Sequence, residues 1–130
     1  MVEKKIFLVA GQAVTLDTLK AKFRLLDFQV KSADLSDEVE IWLKKTKLFR
    51  PTAVVLDLIP KEKQYEFLGR LRAEENLDSI LVFVWTDLSE KTLKEKCENL
   101  GADYCFSPLD LTIDEFVVKV GKILEKKRNK

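Results

Sequence analysis

Apolar runs alternate with amphipathic stretches along the whole chain. Ile6 to Ala10 is an unbroken apolar run, the pattern of a strand covered on both faces. Leu16, Leu19, Phe23 and Leu26 follow at helical spacing, with Asp17 expected in the first turn. A weaker strand spans Phe28 to Ala33. Ser36 is then placed to cap a second helix, which opens with Asp37 and Glu38 and turns Val39, Trp42, Leu43 and Thr46 to one side. After Pro51, Ala53 to Asp57 reads as a third strand, closed by Pro60. A third helix is expected from about Glu62 to Asn76, using Tyr65, Phe67, Leu68 and Leu71. Ile80 to Trp85 is the most apolar strand. Ser89 is placed to cap a fourth helix bearing Leu93, Cys97 and Leu100, which Gly101 ends in a left-handed conformation. Asp103 to Phe106 is a short fifth strand, stopped by Pro108. Thr112 and Glu115 form a capping box before a last helix with Phe116, Val117, Val120, Ile123 and Leu124 on one arc. Strand and helix alternate five times, which predicts an α/β fold: one doubly wound five-stranded parallel sheet, (βα)5, with helices on both faces.

Composition narrows the class without naming a function. The 130 residues suit one domain over 1–130, and 46% hydrophobic content fills its core without disulfide or metal. With 23 Lys and Arg against 22 Asp and Glu, the net charge of +1 provides no field to hold nucleic acid or a membrane. The basic tail, from about 125 to 130, is expected to fray in solvent. The apolar run after Lys4 and Lys5 is too short for a signal peptide, and no stretch approaches the roughly 20 apolar residues of a membrane span. Cys97 and Cys105 fall inside apolar patterns. There is no C-x-x-C pair and no His, so two reduced cysteines in a core are expected, and with them a cytoplasmic location.

In an open parallel sheet, ligands bind beyond the carboxyl ends of the strands. Those ends carry Gly11 and Gln12, Asp57, Thr86 and Asp87, and Ser107 and Pro108. No glycine-rich phosphate cradle follows the first strand, and Cys105 lacks a His partner to activate it, so an enzyme is not expected. The segments Val54-Val55-Leu56-Asp57-Leu58-Ile59-Pro60, Phe83-Val84-Trp85-Thr86 and Gly101 to Pro108 together resemble response-regulator receiver domains over essentially the whole chain. The resemblance implies the flavodoxin-like fold with strand order 2-1-3-4-5. It also implies a phosphoacceptor at Asp57 and switch positions at Thr86 and Tyr104.

In that family an acidic pair after the first strand helps the phosphoacceptor hold Mg²⁺, and a Lys from the fifth strand meets the phosphoryl oxygens. This chain has Gly11 and Gln12 at the acidic positions and Ser107 at the Lys position, and the loop after Asp57 is one residue shorter than usual. Phosphoryl transfer requires neutralising charge on the phosphoryl oxygens, and these parts are missing. The expectation is therefore a degenerate pseudo-receiver with a vestigial Asp57, no metal and no cofactor. It would act as a non-catalytic protein-interaction module in signal transduction, independent of phosphorylation. The alternative is an atypical phosphoacceptor switch at Asp57, with Asp87 contributing to an unusual Mg²⁺ site. A small-molecule binder using the space beside Gly11 is a third option. The resemblance places the partner surface on the fourth helix, fifth strand and fifth helix, around Tyr104 and Val118. That surface is open to a protein partner or to a second copy of the chain.

Overall fold

The computed structural model describes residues 4–58, 61–86 and 91–128. Five strands and five helices alternate in it: β1 (Lys5–Val9), α1 (Ala13–Leu25), β2 (Gln29–Ser32), α2 (Val39–Phe49), β3 (Ala53–Leu56), α3 (Lys61–Ala73), β4 (Leu81–Trp85), α4 (Lys91–Asn99), β5 (Tyr104–Phe106) and α5 (Ile113–Arg128). All strand pairs are parallel, as the alternation of elements predicted, and the sheet order is β2-β1-β3-β4-β5, as the receiver resemblance implied.

The continuous apolar runs are explained by a core on each side of the sheet. Phe7, Val9, Val54, Leu56, Val82 and Val84 face one layer, where they meet Trp42 and Leu43 of α2, Phe67, Leu68 and Leu71 of α3, and Cys97 of α4. The alternate residues Ile6, Leu8, Ala53, Val55, Phe83 and Trp85 face the other layer, against Leu19 and Phe23 of α1 and Phe116, Val117 and Val120 of α5. A strand buried on both faces has no polar positions to alternate with, and each such side chain contributes about 1.5–3 kcal/mol by leaving water. β2 lies at the sheet edge, and its half-exposed alternation accounts for its weaker signal. There Lys31 lays its ammonium over the Phe49 ring at 5.2 Å, and Lys20 and Lys45 flank the strand from α1 and α2.

Local differences have local causes. Ser36 does not cap α2: its N–H and Oγ both donate to Asp34 Oδ1, at 2.9 and 2.7 Å, making a tight turn, and the helix begins at Val39 after Glu38. The short polar side chains bond their own backbone and so postpone the helix. Asp17 falls beyond the first turn of α1, and Leu26 is the 37% exposed C-cap rather than part of the inner stripe. α3 ends at Ala73, short of Asn76. Gly101 does end α4 with φ of 103°, and the Ala102 N–H returns to the Cys97 carbonyl at 3.1 Å. Thr112 and Glu115 exchange the two capping-box hydrogen bonds, at 2.9 and 3.1 Å. Ser89 lies outside the described residues. α5 continues as helix through Arg128 in the region where fraying was expected from about 125.

One residue ties three elements together at the amino edge of the sheet. Arg72, near the end of α3, donates through Nε to the Gly101 carbonyl at 2.8 Å and through Nη1 to the carbonyls of Asp78 and Ile80, at 2.8 and 2.7 Å. Its Nη2 meets the Asp103 carboxylate, which also accepts the Val82 N–H at 2.8 Å. The clamp fixes where β4 and β5 begin, and so where their carboxyl ends finish.

Candidate functional site at the carboxyl edge of the sheet

Ladder register places the sequence-predicted site residues in two rows. The Asp57 N–H donates to the Val9 carbonyl at 2.8 Å, which continues the β1–β3 ladder one step and sets Asp57 beside Ala10. Because Leu56 pairs with Val84 and Trp85 with Phe106, Thr86 stands one step further along and beside Ser107. The Thr86 N–H donates to the Phe106 carbonyl at 3.1 Å, and the Thr86 side chain is buried. Asp57 and Thr86 therefore lie on neighbouring strands, about 6 Å apart along the backbone ladder, while Ser107 is about 10 Å from Asp57, two strands away. Asp57 is half-buried.

Gly11, Gln12 and Ser107, the positions that the resemblance set against charged residues of the family, are uncharged. Gln12 is the exposed, extended N-cap of α1; its side chain makes no capping bond, and its carbonyl accepts the Leu16 N–H at 2.9 Å. Gly11 is half-buried beside it. Ser107 is 2% exposed, and its Oγ accepts the Leu109 N–H at 3.1 Å while its carbonyl accepts from Asp110 at 2.9 Å. Its hydroxyl is thus engaged in its own turn. Asp87 and the Ile59-Pro60 loop lie outside the described residues.

Two features of this edge went unread in the sequence. Asp34 follows β2 as Asp57 follows β3, so the two carboxylates flank β1 from opposite sides. Hydrogen bonds from Ser36, side chain first and backbone second, hold the Asp34 carboxyl below its ordinary value. Asp34 helps line a cleft of about 370 Å³ with Gly11, Ala13, Leu16, Ser32 and Leu35, which is the space the sequence offered to a small ligand. The second feature is Gln64 on α3. It is fully buried, and among the described residues neither end of its amide finds a hydrogen-bond partner. Its spacing signalled this, since it lies three and four residues before Phe67 and Leu68, on the same inner stripe.

Magnesium is a hard cation that binds through one or two carboxylates together with water and phosphate oxygens. Among the described residues, no group of three or more carboxylates, thiols or imidazoles is close enough to hold a metal ion. Among the described residues at this edge Asp57 and Asp34 carry carboxylates, and Asp34 Oδ1 accepts both Ser36 hydrogen bonds.

The expected partner surface is only partly free. Tyr104 is half-buried, stacked on Phe83 with centroids 5.0 Å apart and lying parallel to Phe106 at 6.4 Å. Val118 is 44% exposed, and Leu109 is 71% exposed. A shallow groove of about 630 Å³ runs past Val118 between Leu111 and Lys119, and Lys119 lies over the Phe106 ring at 5.3 Å. No helix among the described residues is long and apolar enough to cross a membrane.

No family model matches the sequence, and no curated protein matches it. Solved structures do resemble it. A CheY-like response regulator receiver domain protein from Methanospirillum hungatei JF-1 superposes with a TM-score of 0.80 at 16% identity, covering 98% of each chain. The signal receiver domain of a signal transduction histidine kinase from Syntrophus aciditrophicus gives 0.78 at 19% identity, over 95% of this chain and 91% of that one. The receiver domain of a sensor histidine kinase from Pseudomonas aeruginosa PAO1, solved with magnesium in its active-site cleft, gives 0.75 at 18% identity over 96% and 97%. At such identities the likeness speaks for architecture: this chain has the fold of the response-regulator receiver domains.

Proposed function

We propose that the chain is a non-catalytic, receiver-like interaction module of signal transduction. It works in the cytoplasm by binding a protein partner, independently of phosphorylation at Asp57. The observation that carries this reading is the charge of the carboxyl edge: Asp57 is accompanied by Gly11, Gln12 and a buried Ser107. A phosphoryl group arriving there would bring two negative charges next to a carboxylate, with no side-chain cation at the Ser107 position to offset them. Its structural neighbours, named as response regulators and as receiver domains of histidine kinases, support the signalling context.

The docking surface we assign is α4–β5–α5, where exposed Val118 lines an open groove beside a layer of stacked aromatic rings. A protein partner is one occupant; a second copy of the chain is the other.

The test is incubation with acetyl phosphate and magnesium, followed by intact-mass measurement. The expected result is an unmodified chain. A phosphoryl adduct on native protein that Asp57→Asn removes would overturn the reading in favour of an atypical phosphoacceptor. The adjacency of half-buried Asp57 and buried Thr86 is the one observation that favours that second reading. For the docking face, Val118→Glu changes an exposed position that the fold tolerates. It should abolish the association that the native chain shows in pull-down from its host; retained association places docking elsewhere.

A further inference from the structure

Both cysteines were expected reduced in a core, and the fold packs them in the same layer. Cys97 sits on the inward face of α4 and is fully buried. Cys105 is the middle residue of β5, and its neighbours Tyr104 and Phe106 pack into the α1/α5 layer. Strand alternation therefore turns Cys105 the other way, where it packs, half-buried, against the cluster that contains Cys97. The connection between them is short and fixed. Gly101 takes the left-handed turn, and the Ala102 N–H is bound to the carbonyl of Cys97 itself.

We propose that Cys97 and Cys105 are an oxidisable dithiol pair, which hydrogen peroxide converts into an intramolecular disulfide that staples α4 to β5. The chemistry balances with peroxide as the only oxidant. The more accessible Cys105, as thiolate, attacks a peroxide oxygen; the O–O bond breaks, and the departing hydroxide leaves as water after taking a proton. Cys97 then attacks the Cys105 sulfenic sulfur, the S–O bond breaks, and the second hydroxide leaves as water with the Cys97 proton. Two thiols are oxidised by two electrons, one peroxide is reduced, and two waters form. In the reduced pair a hydrogen bond with Cys105 lowers the pKa of the Cys97 thiol against the opposing effect of burial. The bridge would close a loop of about nine residues and restrain α4 against the sheet. It stands whether or not this face docks a partner.

The experiment treats the full chain with a modest excess of hydrogen peroxide, then alkylates it and measures intact mass without reductant. Native protein should lose both alkylatable thiols, remain monomeric, and be lighter by two hydrogen atoms. Dithiothreitol should restore both thiols. Amide exchange across α4 should slow by roughly one to two orders of magnitude in the oxidised form. Cys97→Ala and Cys105→Ser, each checked for native Trp fluorescence, should form no intramolecular bridge. Oxygen addition without a bridge, cross-linked dimers, or two unchanged thiols in native protein would each overturn the pairing. Unchanged exchange in the bridged form would overturn the staple.

Discussion

Replacing Arg72 by Leu removes the guanidinium and leaves a shorter apolar side chain. The guanidinium is bound to three carbonyls and to the Asp103 carboxylate, with its side chain 19% exposed. A hydrogen bond from a charged donor contributes about 1.5–3 kcal/mol, and a buried acceptor left without a partner costs about 1–3 kcal/mol. The four contacts are not additive. The Asp78 carbonyl is exposed and regains water, and Asp103, 35% exposed, keeps the Val82 N–H and contributes less than about 1 kcal/mol through its ion pair. The half-buried carbonyls of Gly101 and Ile80 carry most of the effect. Together these give a loss of about 3 kcal/mol, a large fraction of the roughly 5–15 kcal/mol by which domains are stable. In urea unfolding followed by Trp fluorescence, the midpoint should fall with little change in slope, and Tm should drop by roughly 10 °C. Arg72→Lys, a point charge unable to fork to several acceptors, should recover less than half. A loss below about 1 kcal/mol for Arg72→Leu would refute the reasoning, because it would mean that water replaces the clamp.

Two further predictions follow from polar groups elsewhere in the fold. Gln64→Leu exchanges a buried amide lacking a partner for a side chain of similar size and should stabilise the chain by about 1–2 kcal/mol in the same assay; destabilisation would show that the amide is satisfied in solution. The Glu115 carboxyl is held below its ordinary value of 4.5 by hydrogen bonds from Thr112, backbone first. A depressed folded pKa gives stability that is present above 4.5 and lost as pH falls through the lower folded value. Glu115→Gln keeps the cap without titrating, so the acid side of its Tm–pH curve should be flatter than the native one; identical curves would dismiss the effect.

The fold was legible because its strands are buried on both faces. Runs such as Ile6 to Ala10 and Leu81 to Trp85 leave no other element type that fits between capped amphipathic helices. The Thr112–Glu115 box and Gly101 could be read for a similar reason, since each acts within four residues. What escaped was competition and distance. Ser36 was a sound cap by type, but Asp34 captured it first, and no pattern in α3 announces that Arg72 reaches residues near 101. At the site, strand ends located Asp57, Thr86 and Ser107. Asp34 was passed over because a carboxylate after an edge strand looks like a solvated turn until the β2–β1 pairing sets it beside Gly11. The cysteine pairing was hidden because strand alternation and helix facing must both be known before two thiols can be said to meet.

The outer margin of β2 has a consequence for how copies of this chain behave when crowded. The Gln29 and Ala33 N–H groups point inward to β1, so Val30 and Ser32 present their backbone donors and acceptors to solvent. A strand arriving from an identical molecule by way of its own β2 would bring Lys20, Lys31 and Lys45 against the same three cations. Like charge at close range opposes that approach most strongly in dilute salt. The lysines on this rim thus work against an edge-to-edge pairing of two copies.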